Sequence, residues 1–192
     1  MYEFIEGEVV EKSPAQLVIK AGQVAFMVHI SVNTYSKIGN SESVRIFLHH
    51  VVREDAQLLY GFADKKEREI FRMLISVSGV GANTARLILS SMSSDEVRQS
   101  ILNGNVAALQ NIKGIGAKSA QRIIVDLRDK VGKAVETDEL FQPQDNTVKE
   151  EALSALVALG FPRKAVEKSL DRIMTGEAMD VEEVVKAALK LM

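Results

Sequence analysis

Cysteine and tryptophan are absent from the 192 residues, and aromatic side chains make up only 5% of them. Without cysteine there is no disulfide framework, no thiolate metal site and no thiol nucleophile. No apolar run approaches the roughly 20 residues that cross a bilayer as a helix. The opening Met1-Tyr2-Glu3-Phe4-Ile5-Glu6 lacks the basic start and apolar core of a signal peptide, so a soluble, cytoplasmic protein is expected. His29, His49 and His50 have no metal-ligand partners at ligand spacing and are assigned no chemistry. A Walker A loop is missing too. In Gly116-Ala117-Lys118-Ser119 the glycine and lysine are not adjacent, and the upstream glycine spacing is wrong. With no catalytic His, Cys or Ser constellation either, the chain is expected to be no enzyme and to need no cofactor.

Net charge is small overall, −2, but it is unevenly divided along the chain. Residues 1–64 carry 5 Lys/Arg against 8 Asp/Glu, a net of −3. Residues 65–133 carry 12 against 6, a net of +6, and residues 134–192 carry 7 against 12, a net of −5. A positive block between two acidic ones is the footprint of a phosphate-binding segment.

That basic block contains one pattern twice, 35 residues apart. The first copy runs from Leu74 through Val77, Gly79-Val80-Gly81 and Ala85 to Ile88. The second runs from Leu109 through Ile112, Gly114-Ile115-Gly116 and Ala120 to Ile123. Each reads as apolar helix, Gly-apolar-Gly turn, apolar helix. A Gly-x-Gly turn lets the backbone take positive φ and approach a ligand closely. The helix that follows begins with N–H groups lacking intrahelical partners, and these with the helix dipole form an anion site. The apolar residue between the glycines is expected to point inward and tie the turn to the helices. Thr84 and Ser119 offer hydroxyls, and Lys118 and Arg122 add charge beside the second turn. Asn83 stands where the second copy has Lys118, which leaves the first turn poorer in charge. Such contacts hold the sugar–phosphate backbone without reading bases. The duplication therefore points to DNA binding by shape. It is neither the dinucleotide fingerprint, which needs a third glycine and a preceding strand, nor a P-loop.

Around this block the chain divides into further units. Phe4–Val10, Leu17–Lys20, Val24–Ile30, Val44–His50 and Gln57–Gly61 predict five short strands in residues 1–64, separated by turn signals such as Ser13-Pro14, Ala21-Gly22 and Gly39-Asn40-Ser41. Five strands in so short a stretch fit a closed barrel, an OB-fold or, as the alternative, an SH3-like barrel. Residues 65–131 predict helices over Lys65–Ser76, Gly81–Ser91, Ser94–Asn103, Asn105–Asn111 and Ala117–Val131. Residues 132–146 read as a flexible linker. Residues 147–192 predict three amphipathic helices, Thr147–Leu159, Arg163–Met174 and Val181–Leu191.

These pieces in this order resemble one family, the bacterial RuvA proteins of Holliday junction branch migration. The resemblance rests on His50-Val51-Val52-Arg53-Glu54-Asp55-Ala56-Gln57-Leu58-Leu59-Tyr60-Gly61-Phe62, on both helix-hairpin-helix motifs, and on Leu156-Val157-Ala158-Leu159-Gly160-Phe161. It covers the whole chain apart from the linker. It implies an α+β multidomain fold: an OB-fold barrel, a tandem helix-hairpin-helix domain and a three-helix, UBA-like module. It implies a homotetramer, or an octamer, holding an open four-way junction, with a hexameric RuvB-type ATPase as partner and a RuvC-type junction nuclease as a further one. Gly79, Val80, Gly81, Gly114, Ile115, Gly116, Lys118 and Ser119 are then the implied DNA contacts, and Asn83, Thr84 and Arg122, read from their places beside the turns, join them as candidates. Glu54 and Asp55 match an acidic pin near the crossover, and Leu156, Leu159 and Phe161 are implied in ATPase docking. Two other classes remain in play at this point: a structure-specific nuclease or glycosylase accessory with hairpin motifs, and a single-strand-binding barrel. The acidic, aromatic-poor barrel speaks against the latter.

Overall fold

A computed structural model describes residues 2–140, 148–173 and 179–191, the side chains of residues 133–140 excepted. Five strands, β1 (Phe4–Ser13), β2 (Gln16–Ala21), β3 (Val24–Ile30), β4 (Ser43–Val52) and β5 (Gln57–Phe62), close into a barrel in the order β1-β2-β3-β5-β4. All pairings are antiparallel except β3 with β5, and β4 returns to β1 to remove the free edge. A helix that the strand-and-turn pattern does not announce, α1 (Val32–Ile38), connects β3 to β4. Its start is set by Ser31, whose hydroxyl accepts from the Thr34 N–H at 2.9 Å. A closed five-stranded barrel with this inserted helix is an OB-fold, and the SH3-like alternative falls away.

Five helices follow: α2 (Lys65–Ile75), α3 (Ala82–Ser91), α4 (Ser94–Leu102), α5 (Val106–Gln110) and α6 (Ala117–Leu140). Strong caps mark two of the starts. Asp64 accepts from the Glu67 N–H at 2.8 Å, and Ser93 with Glu96 forms a reciprocal capping box. The last helix corrects the expected linker: residues 132–140 continue α6 instead of leaving it. A single interior glycine, Gly132, costs only about 1 kcal/mol, and no proline intervenes before Pro143. The rest of the expected linker, 141–146, lies outside the described residues.

The barrel has its own core of Ile5, Leu17, Ile19, Val28, Ile30, Ile38, Ile46 and Leu48, and its last strand also enters the core of the helices. Tyr60 and Phe62 of β5 are buried in the cluster that holds Phe71, Leu74, Ile88, Leu109, Ile123 and Leu127. A polar seam joins them as well. The buried Glu67 carboxylate accepts from the hydroxyls of Ser31 and Thr34, the latter at 2.8 Å, and Thr34 Oγ1 in turn accepts from the Ala63 N–H at 3.1 Å. Arg68, also buried, donates to the Glu3 carbonyl at 2.8 Å and pairs with the Glu3 carboxylate. Residues 1–136 thus form a single compact unit rather than two separable domains.

The second unit holds α7 (Val148–Ala158), α8 (Arg163–Ile173) and α9 (Val181–Leu191) around a small core of Ala152, Leu156, Val166, Leu170, Val184 and Ala188. Thr147 and Met174, expected as helix ends, lie outside the described residues.

Candidate nucleic-acid interface

The two Gly-x-Gly turns are copies of each other in hydrogen bonding, not only in sequence. In the first, the Val77 N–H donates to Leu74 C=O at 3.1 Å and the Val80 N–H to Val77 C=O at 3.0 Å. In the second, the Ile112 N–H donates to Leu109 C=O at 3.2 Å and the Ile115 N–H to Ile112 C=O at 3.1 Å. Gly79 and Gly114 occupy the left-handed region at φ 88° and 89°, where an L side chain is strained. Each turn then feeds a helix whose first internal bond comes four residues on, from the Ala85 N–H to Gly81 C=O at 2.9 Å and from the Ala120 N–H to Gly116 C=O at 3.0 Å. The amides of Ala82, Asn83 and Thr84, and of Ala117, Lys118 and Ser119, precede those bonds. They form two parallel sets of helix-start donors.

Burial divides the expected contact residues. The side chains of Val80 and Ile115 are buried, as expected for residues that pin the turns to the core. Their amides are used within the turns, so neither residue has a free N–H or an exposed side chain for a ligand. Gly81, Gly114 and Gly116 face open space: a Cβ built on any of them meets nothing within 4 Å. Lys118 is exposed, Thr84 and Ser119 half-buried. Asn83 is exposed but not idle, because Tyr60 Oη donates to its Oδ1 at 3.3 Å.

Arg122 does not stay with its own hairpin. Its Nη1 donates to Ser78 C=O in the first turn at 3.2 Å and lies 4.0 Å from the position of a Gly79 Cβ. Two further cations join the site that the sequence does not single out. Lys113 is the second copy's counterpart of Ser78, a signal the repeat itself contains. Lys130 Nζ donates to Ser76 Oγ at 3.4 Å, a contact across 54 residues that no local pattern announces. Residues 75–81 line an open depression of about 510 Å³, and Arg122 and Lys130 bond two of its lining residues, Ser78 and Ser76.

Residues 1–61 match the RuvA N terminal domain, residues 71–129 the SAM-like Helix-hairpin-helix tandem, and residues 147–192 the RuvA C-terminal domain. The chain belongs to the RuvA family. A relative from Christiangramia forsetii named Holliday junction branch migration complex subunit RuvA is 48% identical over 191 residues, 99% of each chain. Proteins of the same name from Flavobacterium psychrophilum and Bacteroides thetaiotaomicron are 47% and 45% identical, each match again covering 99% of both chains.

Other residues singled out in this RuvA-family chain fall at the tip of the barrel and in the C-terminal module. Glu54 and Asp55 occupy the turn between β4 and β5, closed by the Arg53 N–H donating to Ala56 C=O at 2.8 Å. Both are exposed, and neither is in an ion pair among the described residues. Leu156 is fully buried in the core of its module, which corrects its assignment as a docking contact. Its i+3 neighbour Leu159, just past the end of α7, is 63% exposed, and Phe161 is half-buried against the same core. Among the histidines, burial and the nearby Arg86 hold His29 below the ordinary imidazole range. Burial, Arg72 and Arg68 do the same to His49, whose Nδ1 accepts from Arg72 Nε at 3.4 Å. Among the described residues no group of three or more His, Asp or Glu is arranged to hold a metal, and no helix is long and apolar enough to cross a membrane.

Proposed function

We propose that this chain is the junction-binding subunit of a branch migration complex; its relatives are named as subunits of a Holliday junction branch migration complex. It grips four-way junction DNA through the sugar–phosphate backbone and performs no chemistry itself. The observation that carries the reading is the pair of turns with matching hydrogen bonds and left-handed glycines, each feeding a helix whose first amides lack helical partners. Two anion sites with the same backbone geometry on one compact unit suit two points of a DNA backbone, whose spacing depends on shape and not on base sequence. Gly79, Gly81, Thr84, Gly114, Gly116, Lys118, Ser119 and Arg122 line these sites, and Asn83 is held at the first of them by Tyr60.

In the same reading, Glu54 and Asp55 of several subunits gather where strands cross in a homotetramer or octamer. Their charges repel phosphate and keep the crossover from becoming a sink. The C-terminal module, through Leu159 and Phe161, docks a hexameric RuvB-type ATPase that supplies the work. A RuvC-type nuclease acts on the same junction. The deciding experiment is a competition gel shift at fixed salt, labelled four-way junction against unlabelled linear duplex of equal length. Duplex is expected to compete only in large excess. Equal competition would reduce the hairpins to generic DNA clamps.

A further inference from the structure

The two hairpins are equal in backbone geometry but unequal in their own charge. Lys113 and Lys118 flank the second turn, while the matching positions beside the first are Ser78 and Asn83, both neutral. A first site built only from its own residues would hold phosphate by amides alone. Yet two cations do stand at it, and both come from the second motif's helix. Arg122 Nη1 reaches Ser78 C=O at 3.2 Å, and Lys130 Nζ, two turns further along α6, reaches Ser76 Oγ at 3.4 Å. Both partners are neutral oxygens. Neither cation is in an ion pair among the described residues, so neither is tied up in a salt bridge at the depression formed by residues 75–81. The arrangement is not reciprocated: the first motif's counterpart of Arg122 is Leu87, an exposed apolar residue that brings no charge to the second turn.

We propose that the first hairpin binds its phosphate with cations supplied by α6, Arg122 and Lys130, whereas the second hairpin uses its own Lys113 and Lys118. The inference rests on the reading that both hairpins hold DNA backbone. It turns a pair of similar clamps into a coupled one, because the helix that starts at the second phosphate also neutralises the first. Arg122 belongs by sequence to one hairpin and by contact to the other.

A double-mutant cycle on the full chain with four-way junction DNA tests it, each affinity being measured over a salt series. Gly81→Glu and Gly116→Glu place a carboxylate at the first and second site in turn. Both positions are open, and thermal midpoints close to that of the unchanged protein would verify folding. R122Q alone is expected to lower the slope of log K against log salt by about 0.9 for each phosphate left without its cation, and R122K to keep it. In the Gly81→Glu background R122Q should then add no further loss, while in the Gly116→Glu background it should cost its full several-fold effect. K130Q should follow the same pattern more weakly. Additivity of R122Q in the Gly81→Glu background, or its disappearance in the Gly116→Glu background, would return Arg122 to its own hairpin and overturn the assignment. If neither glycine variant weakens binding, the backbone-gripping reading fails, and the assignment fails with it.

Discussion

Tyr60 Oη donates to Asn83 Oδ1 at 3.3 Å, joining the last strand of the barrel to the first turn of the helix that leaves the first hairpin. Tyr60 is almost fully buried between Phe71 and His29, with ring centroids 5.1 and 5.4 Å away, so its phenol is held firmly and orients the exposed Asn83. The Tyr60→Phe variant keeps the ring and removes only this bond. Stability should fall by about 1 kcal/mol, read as a lower denaturant midpoint at unchanged slope. Junction affinity should fall slightly with it. An unchanged midpoint would show that this bond contributes nothing to stability.

The glycines of each turn fall into two kinds. Gly79 and Gly114 lie at positive φ, so Gly79→Ala and Gly114→Ala should each cost about 1–2 kcal/mol through backbone strain. Gly81 has an ordinary extended backbone, φ −83°, at the N-cap position of α3, and Gly116 is not at positive φ either. Gly81→Ser and Gly116→Ser should therefore fold at least as stably, since serine caps a helix better than glycine. A larger residue at those two positions should weaken DNA binding without a matching loss of stability. Thermal melts beside gel shifts on the same four proteins test the division. Equal destabilisation at all four positions would refute it.

Burial pushes the Glu67 carboxyl above its ordinary value of 4.5, against the opposing hydrogen bonds from Ser31 and Thr34. A raised value in the folded chain means that the folded state binds this proton more tightly than the unfolded one. The resulting stabilisation is fully present below about 4.5 and is lost as pH rises from there through the raised folded value. Glu67→Gln cannot titrate. The stability difference between the unchanged protein and this variant should accordingly move in favour of the variant as pH rises across that window. A difference that stays flat from pH 4 to pH 7 would show that Glu67 keeps its charge at no cost.

Glu54→Gln with Asp55→Asn removes two exposed carboxylates from a hairpin tip. Folding stability should stay within about 0.5 kcal/mol of the original. In the presence of a RuvB-type ATPase, the rate of branch migration or the preference for junction over duplex should change. If both stay the same, the acidic pair is only a solvated turn.

Much of this arrangement is local and therefore written in short sequence windows. The repeated Leu-x-x-Val/Ile-x-Gly-Val/Ile-Gly pattern carries its own turn chemistry, and both copies bury the matched pairs Leu74/Leu109, Val77/Ile112, Val80/Ile115, Ala85/Ala120 and Ile88/Ile123. The barrel strands are legible from alternation and turn signals. Helix α1 is not, because Val32-Asn33-Thr34-Tyr35-Ser36-Lys37-Ile38 buries only Thr34 and Ile38 and shows no apolar period. The extension of α6 to Leu140 is hidden in the same way, since its acidic residues and the nearby proline read as linker while simple helix continuation prevails. The cross-hairpin reach of Arg122 and Lys130 depends on how two helices pack across 44 and 54 residues, and nothing in either local window records it.

Leu156 and Leu159 show how three residues of spacing can separate core from surface. Leu156→Ala removes a fully buried side chain from a module with a core of only six buried residues among those described. A cost of about 2–5 kcal/mol is expected, enough to unfold a unit this small. Hydrogen exchange should then show loss of protection across α7, α8 and α9, while residues 1–136 keep theirs. Leu159 contributes almost nothing to that core, so Leu159→Ala should leave protection intact and weaken binding to the RuvB-type ATPase, measured by titration against the purified partner. The two variants separate a folding effect from a docking effect. Should Leu159→Ala bind the ATPase with unchanged affinity, the docking surface lies elsewhere on the module, and the exposed Val157, Leu189 and Leu191 become the next substitutions to make.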